Sequence, residues 1–135
     1  MSENLLFMLI DDDEDDQEFF TLALEESSPD ISCVVAGNGI EGLHMLHSGM
    51  QLPDIIFLDL NMPMMGGKEC LIELKRSELL KHIPVVIYST TSDSFEIGDL
   101  LNLGAEECVS KPAKLSEVSA IQQKFATFTR IHSKI

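Results

Sequence analysis

Short apolar segments alternate along the chain with longer segments in which apolar residues recur at helical spacing. Each apolar segment is bounded by turn-forming or charged residues, which is typical of a β-strand. Five strands are predicted, at residues 5–10 (LLFMLI), 31–36 (ISCVVA), 54–59 (DIIFLD), 83–89 (IPVVIYS) and 107–111 (ECVSK). The intervening segments predict helices, and in the first of them Phe19, Leu22 and Ala23 form an apolar stripe. This order predicts an α/β fold, in which a parallel sheet with right-handed crossovers lies between layers of helices.

The third predicted strand is apolar throughout but ends in an ionisable residue, Asp59. Taken alone, such a residue is often a loop cap or turn residue. In a parallel sheet, however, the carboxyl ends of all strands lie at one edge, where ligands usually bind. The polar residues at the other strand ends are Asp11, Asp12 and Asp13 in the first, Ser89 and Thr90 in the fourth, and Lys111, before Pro112, in the fifth. We therefore expect these side chains to form one site.

Several carboxylates at one edge require a counter-charge. Three carboxylates about 5 Å apart repel one another by roughly 3 kcal/mol per pair at an effective dielectric near 20. A hard divalent cation relieves this repulsion, and Mg²⁺ commonly takes one or two carboxylates, several waters and a phosphoryl oxygen. The sequence therefore predicts Mg²⁺ beside Asp11 and Asp12, with Lys111 as a second positive charge.

This set of residues suits the transfer of a phosphoryl group to a carboxylate. Asp59 is the candidate nucleophile, which would become an acyl phosphate. Lys111 would pair with the phosphoryl group or with Asp59, and Ser89 would donate a hydrogen bond to a phosphoryl oxygen. An aspartate is already ionised at neutral pH, so the reaction needs no general base.

The acidic run DDDEDD, residues 11–16, also has simpler explanations. It can be a solvated turn before a helix, and we favour this interpretation for Asp15 and Asp16, one of which would cap the helix N-terminus. A calcium-binding loop is excluded, because it requires glycine where Asp16 stands and glutamate where Leu22 stands.

Composition narrows the class of protein. A chain of 135 residues fits one domain, so we expect a single domain over residues 1–135 with no output domain. The formal net charge of −14 opposes binding to nucleic acid or to an anionic membrane, since both are polyanions. The cysteines, Cys33, Cys70 and Cys108, are widely spaced and odd in number, which indicates reduced thiols and a cytoplasmic protein.

Four segments together resemble the receiver domain of two-component response regulators. They are MLIDDDEDD (8–16), IIFLDLNMPMMGG (55–67), VVIYSTTS (85–92) and LGAEECVSKP (103–112). Their order and spacing match the family over nearly the entire chain. The resemblance implies a stand-alone receiver with a flavodoxin-like (βα)5 fold, whose doubly wound parallel sheet has the strand order 2-1-3-4-5.

The resemblance also implies a function in a phosphorelay. Asp59 would be phosphorylated by a sensor histidine kinase or a histidine phosphotransfer protein, and the phosphorylated state would alter binding to an unknown downstream protein. Mg²⁺ would be bound by Asp12, Asp59 and the backbone carbonyl of Asn61, with Asp11 acting through water.

Further residues are assigned to the response by the same resemblance. Ser89 and Lys111 would contact the phosphoryl group, while Thr90 and Pro112 would belong to the region that switches or tunes it. The Lys111–Pro112 peptide bond could be cis, which proline permits at small cost.

The sequence departs from the family pattern at two positions. Gly66 replaces the usual aspartate before the loop glycine, and Cys108 replaces the switch aromatic of the fifth strand. A thiol has no ring to bury, so the family's usual switching movement cannot hold unchanged. Asn61 and Thr91 each lie two positions past a site residue, where they could tune the lifetime of the acyl phosphate.

Other functional classes stay open at this point. We expect no enzyme activity beyond self-phosphotransfer and autodephosphorylation. An aspartate-nucleophile phosphatase of the haloacid dehalogenase type uses similar residues, but in another chain order and with an aspartate where this chain has Asn61. A degenerate receiver that only binds partners is disfavoured because the expected site residues are present. Phe125, Phe128 and Ile131 could extend a homodimer face.

Overall fold

The computed structural model describes residues 4–90 and 93–132, and within them five strands alternate strictly with five helices. The strands are β1 (Leu5–Ile10), β2 (Ile31–Ala36), β3 (Ile55–Leu58), β4 (Val85–Ser89) and β5 (Glu107–Ser110). The helices are α1 (Glu14–Ser27), α2 (Gly39–Leu46), α3 (Gly67–Arg76), α4 (Ser94–Asn102) and α5 (Leu115–His132). The predicted alternation is confirmed. Compared with the predicted ranges, β3 is one residue shorter at each end, β4 begins two residues later and β5 ends one residue earlier.

The five strands form one parallel sheet in the order β2-β1-β3-β4-β5. This confirms the doubly wound, flavodoxin-like arrangement. The register pairs Ile10 with Leu58, and Leu58 with Ile87. Asp11 and Asp59, which directly follow the first two of these residues, therefore leave the sheet side by side.

Alternate side chains of the central strands enter two separate cores, because successive residues of a strand point to opposite faces. The core under α1 and α5 contains an aromatic cluster, which we define as Phe7, Phe20, Phe57, Tyr88 and Phe125. The core under α2, α3 and α4 is aliphatic, and its buried members include Met8, Ile10, Ile56, Leu58, Leu71 and Leu100.

The apolar stripe predicted for the first helix is confirmed at Ala23, which is buried, and at Phe19, which packs against the core, but it is wrong at Leu22. Leu22 is 42% exposed, and the buried residues of α1 are Phe20, Ala23 and Leu24. The ring of Phe20 lies 5.0 Å from that of Phe57 and 5.5 Å from that of Tyr88, between centroids. Aromatic packing therefore sets which face of α1 meets the sheet.

Two findings bear on the class of protein. Within residues 4–90 and 93–132, the structure has no helix that is both long and apolar enough to cross a membrane. Cys33, Cys70 and Cys108 are free thiols, as predicted. Burial raises the pKa of Cys33 and of Cys70 to about 12, so both stay protonated at neutral pH.

Candidate functional site

Three of the predicted site residues lie one position beyond the end of a strand, and the sheet still fixes their backbone. The N–H of Asp11 donates to the last carbonyl of β2 at 3.0 Å, and that of Asp59 to the last carbonyl of β1 at 2.9 Å. The N–H of Lys111 likewise donates to the last carbonyl of β4 at 2.9 Å. The three side chains therefore extend from a rigid edge of the sheet.

The carboxylates of Asp11, Asp12 and Asp59 meet at this edge. One oxygen from each lies within 4.8 Å of the others, and Asp11 and Asp59 are buried whereas Asp12 is exposed. Asp11 is oriented by the N–H of Asp13, which donates to its Oδ1 at 3.0 Å. Carboxylate oxygens clustered in this way are the donors that a hard divalent cation prefers.

The ammonium group of Lys111 lies among these carboxylates. Its Nζ is 2.8 Å from Oδ2 of Asp11, 2.8 Å from Oδ2 of Asp16 and 3.4 Å from Oδ1 of Asp59. The side chain of Lys111 is only 10% exposed. Three carboxylates thus share one ammonium group, and Asp12 adds a fourth carboxylate beside Asp11 and Asp59, so the site keeps a deficit of positive charge.

Burial and pairing compete in setting the acid–base behaviour of the site. Burial raises the pKa of Asp11 and of Asp59, although contact with the Lys111 ammonium opposes the rise. Burial alone would lower the pKa of Lys111, but the carboxylates of Asp11, Asp16 and Asp59 together raise it above its ordinary value. Lys111 therefore stays charged, while the two buried carboxylates are ionised at a cost.

A cleft of about 430 Å³ opens over this edge of the sheet. The residues that line the cleft are Asp12, Asp13, Asp16, Asp59, Asn61, Thr90 and Lys111. Ser89, the last residue of β4, is buried close enough to the carboxylate of Asp59 to oppose the rise that burial causes in the pKa of Asp59, but within the described part of the chain its Oγ makes no hydrogen bond of good geometry. A buried hydroxyl without a partner is costly, so this one fits a ligand oxygen that accepts its proton.

Of the residues predicted to switch or tune the site, Thr90 lines the cleft. Cys108 does not line the cleft; it is half-buried against the aliphatic core, because its position in β5 faces α4. The Lys111–Pro112 bond is trans, like every peptide bond that the structure describes, so the expectation of a cis bond is wrong; trans is the lower-energy form even before proline. Thr91 lies outside the described residues.

Comparison with known proteins identifies the family. The family model described as "Response regulator receiver domain" matches residues 7–123. The chain belongs to this family. The receiver domain is 32% identical to the two-component response regulator ARR17 of Arabidopsis thaliana over 132 residues, which cover 90% of this chain and 85% of ARR17. The match to receivers does not favour the phosphatase alternative.

Two solved structures resemble the receiver domain over almost their whole length. The phosphorylated cyanobacterial phytochrome response regulator RcpA has a TM-score of 0.83 and 30% identity, with 93% of each chain covered. The Mn²⁺-bound form of Rcp1, from Synechocystis sp., has a TM-score of 0.80 and 25% identity, with 92% of this chain and 93% of that one covered. Two further relatives are longer proteins. This chain spans 52% of the length of one and 13% of the length of the other.

Sequence reasoning misassigned the acidic residues at the start of α1. Asp13, and neither Asp15 nor Asp16, is the N-cap: its Oδ1 accepts from the N–H groups of both. Asp16 instead reaches across the receiver domain to Lys111. Asp16 lies one helical turn before Phe20 and so shares its face, but the sequence alone does not show that this face of α1 meets the sheet.

The loop after Asp59 depends on a close approach at its second glycine. A Cβ on Gly67 would lie 2.7 Å from Cα of Leu60 and would collide with the carbonyl oxygen of Asp59. Glycine therefore lets α3 begin directly against the backbone of Asp59. Gly66, which replaces the family's aspartate, is the N-cap of α3 and offers no side-chain hydrogen bond.

Proposed function

We propose that Asp59 accepts a phosphoryl group from the phosphohistidine of a sensor histidine kinase or phosphotransfer protein. The observation that carries this proposal is the position of the Lys111 ammonium, 3.4 Å from Oδ1 of Asp59, at the same edge as the acidic pair Asp11 and Asp12. Family membership and the likeness to RcpA, which was crystallised in a phosphorylated form, support the proposal.

Mg²⁺ is the proposed cofactor. Asp11, Asp12, Asp59 and the backbone carbonyl of Asn61 would hold it, and their hard oxygen donors fit its chemistry. The excess of carboxylates over ammonium groups supports a divalent cation here, as does the Mn²⁺-bound form of Rcp1. When bound, the ion would neutralise charge on the incoming phosphoryl group.

The side chains of the receiver domain would carry out the transfer as follows. A carboxylate oxygen of Asp59 attacks phosphorus, so that an O–P bond forms as the N–P bond of the phosphohistidine breaks and its imidazole nitrogen keeps the electron pair. Lys111 offsets the charge of the phosphoryl oxygens, and the buried hydroxyl of Ser89 donates a hydrogen bond to one of them. Asp59 attacks in its ionised form, so no group has to remove a proton.

We place this reaction in a signalling protein with no enzyme activity other than its own phosphorylation and dephosphorylation. The phosphorylated state would alter contacts with a downstream protein. The stand-alone organisation of residues 1–135, the cytoplasmic location and the homodimer stay predictions. For the homodimer, Phe125 is buried and cannot contribute, whereas Ile131 is exposed.

The proposal is tested by incubating the protein with Mg²⁺ and a small acyl phosphate donor, followed by intact-mass measurement. Wild type should gain one phosphoryl group that is lost on treatment with base, whereas Asp59→Asn should gain none. Asp15→Asn is the matched control, because it removes a neighbouring carboxylate that lies outside the cleft. It should be phosphorylated like wild type.

Three outcomes would contradict the proposal. Phosphorylation of Asp59→Asn would show that another residue is the acceptor. Equal phosphorylation of wild type in Mg²⁺ and in excess chelator would remove the role of the cation. Steady turnover of many equivalents of a phosphate ester would instead favour the phosphatase alternative.

A further inference from the structure

We propose that Asp16 is a positioning residue, which holds the Lys111 ammonium in the unphosphorylated receiver and must release it when Asp59 carries a phosphoryl group. This inference rests on the proposed role of Asp59. Asp16 thereby competes with the phosphoryl group, and its release links the chemistry at the sheet edge to the first turn of α1.

The ammonium group of Lys111 is surrounded by carboxylates in the structure, and it donates a hydrogen bond to Oδ2 of Asp16. An ammonium donates at most three hydrogen bonds. Three carboxylates surround it, at 2.8 Å for Asp11, 2.8 Å for Asp16 and 3.4 Å for Asp59. A phosphoryl group adds further oxygens and nearly two negative charges at neutral pH. These oxygens compete with the carboxylates for the ammonium group, so one of the present ion pairs of Lys111 must weaken when the phosphoryl group pairs with it.

Asp16 is the partner that can yield at least cost. Its side chain is 39% exposed, so water can solvate the released carboxylate. Asp11 is fully buried and is tied by the N–H of Asp13, so releasing Lys111 would leave a buried charge without its counter-ion. Asp59 is the residue that carries the phosphoryl group. The exchange therefore falls on Asp16.

Tyr88 provides a built-in reporter of this exchange. It is the only tyrosine in a chain without tryptophan, and its ring centroid lies 6.0 Å from Nζ of Lys111. The ring is buried in the aromatic cluster, where Phe20, four residues after Asp16, packs against it. A shift of the ammonium changes the charge nearest to this ring, and tyrosine emission is sensitive to that change.

The experiment titrates beryllium fluoride, a mimic of a phosphoryl group on a carboxylate, into the protein in excess Mg²⁺. Affinity is measured by calorimetry and the state of Tyr88 by its emission. Asp16→Asn should bind about fivefold more tightly than wild type, the size expected when a partly exposed ion pair no longer competes. Its emission before titration should already be shifted toward that of the wild-type complex.

Two matched variants separate pairing from charge. Asp15→Asn removes the same charge from the same turn of α1, but Asp15 lies outside the cleft, so its affinity and emission should stay at wild-type values. Asp16→Glu restores a carboxylate that can reach Lys111, and its affinity should return to within about twofold of wild type.

The results distinguish this inference from the proposed function. Equal affinity and emission for Asp16→Asn and Asp15→Asn would overturn the role of Asp16 alone, as would weaker binding by Asp16→Asn. Binding of beryllium fluoride by Asp59→Asn as tightly as by wild type would overturn the proposed function and this inference with it.

Discussion

The two faces of the sheet are covered in different ways. Under α1 and α5, the rings of the aromatic cluster pack in a continuous series of tilted and edge-to-face contacts, with centroids 5.0–6.1 Å apart. On the other face the core is aliphatic, and α4 contributes a single buried side chain, Leu100. Phe95, the one phenylalanine of α4, is 86% exposed. The first layer is thus anchored by large side chains, whereas α4 buries one side chain and is tied to α3 by an exposed ion pair between Asp99 and Lys68.

This difference extends to the site, because β5 sends alternate side chains to the two faces. Val109 belongs to the core under α1 and α5, and Lys111, two positions later, lies over Tyr88 on the same side. Cys108 packs against the aliphatic core. Lys111 therefore lies on the firmly packed face of the sheet, under α1 and α5. Cys108, which stands where the family pattern has an aromatic residue, lies on the more loosely packed face.

Truncation of a side chain at the centre of the aromatic cluster should have the largest effect on stability. Phe57 is fully buried and its ring contacts those of Phe7, Phe20, Tyr88 and Phe125. Phe57→Ala should lower the free energy of unfolding by about 3–5 kcal/mol, since it removes the ring and leaves a cavity. Urea denaturation followed by circular dichroism measures this loss, and a loss below about 1 kcal/mol would contradict the contrast between the layers.

Phe95→Ala is the control for that experiment. The same side chain is removed from a position that is almost fully exposed, so stability should change by no more than about 0.5 kcal/mol. A large loss at Phe95 would mean that α4 is held by more than Leu100.

Removing the buried side chain of α4 should have an intermediate effect on stability, and this effect should be local to α4. Leu100→Ala removes the one side chain that α4 buries, which should cost about 2 kcal/mol, near the lower end for such a truncation because the helix can settle. Amide hydrogen exchange should become faster in α4 while the amides of α1 and α5 keep their relative protection. Uniformly faster exchange throughout the chain would contradict the idea that α4 is attached separately.

The acidic edge between the layers should respond to pH. Burial raises the folded-state pKa of Asp59 above its ordinary value of 3.8, so the folded protein holds this proton more tightly. Stability from such a group is present at low pH and is lost as the pH rises through the window that begins near the ordinary value and ends at the raised one. In the absence of divalent cations, Asp59→Asn should therefore be more stable than wild type at pH 7, by about 1 kcal/mol, since it also relieves repulsion from Asp11.

The sign of this pH dependence can be checked directly. The advantage of Asp59→Asn over wild type should shrink as the pH falls toward 4, because the wild-type carboxyl with its raised pKa is then protonated in the folded state and no longer buries a charge. Adding Mg²⁺ at pH 7 should stabilise wild type more than Asp59→Asn, since a ligand that binds only the folded state adds to stability. A wild type that is more stable than Asp59→Asn in chelator at pH 7 would refute this account.

Much of the site could be predicted because it follows from topology. An apolar run that ends in Asp59 is a buried strand, and parallel strands bring Asp11, Asp59 and Lys111 to one edge whatever the helices do. The role of Asp16 could not be predicted in the same way. It depends on the rotation of α1 about its axis, which is set by the packing of Phe20 on Phe57 and Tyr88. The stripe of apolar spacing fits two rotations, and only tertiary packing selects one of them.

The smallest expected effect concerns the backbone of α4. Gly98 lies inside the helix, and a Cβ there would meet nothing within 4 Å. Gly98→Ala should therefore raise the free energy of unfolding by up to about 1 kcal/mol, through a lower backbone entropy of the unfolded chain and a higher helix propensity. Slower amide exchange confined to α4 would show this gain most clearly.

Gly104→Ala makes the same change at the end of this helix and should act in the opposite direction. Gly104 has a φ of +110°, and its Cβ would lie 3.3 Å from Cγ of Lys75, so the substitution should be destabilising. A gain at Gly98 with a loss at Gly104 would mean that α4 is loose partly because of its own backbone. The two layers would then differ in helix propensity as well as in packing. If Gly98→Ala does not change the stability, the shallow burial of α4 alone explains its loose attachment.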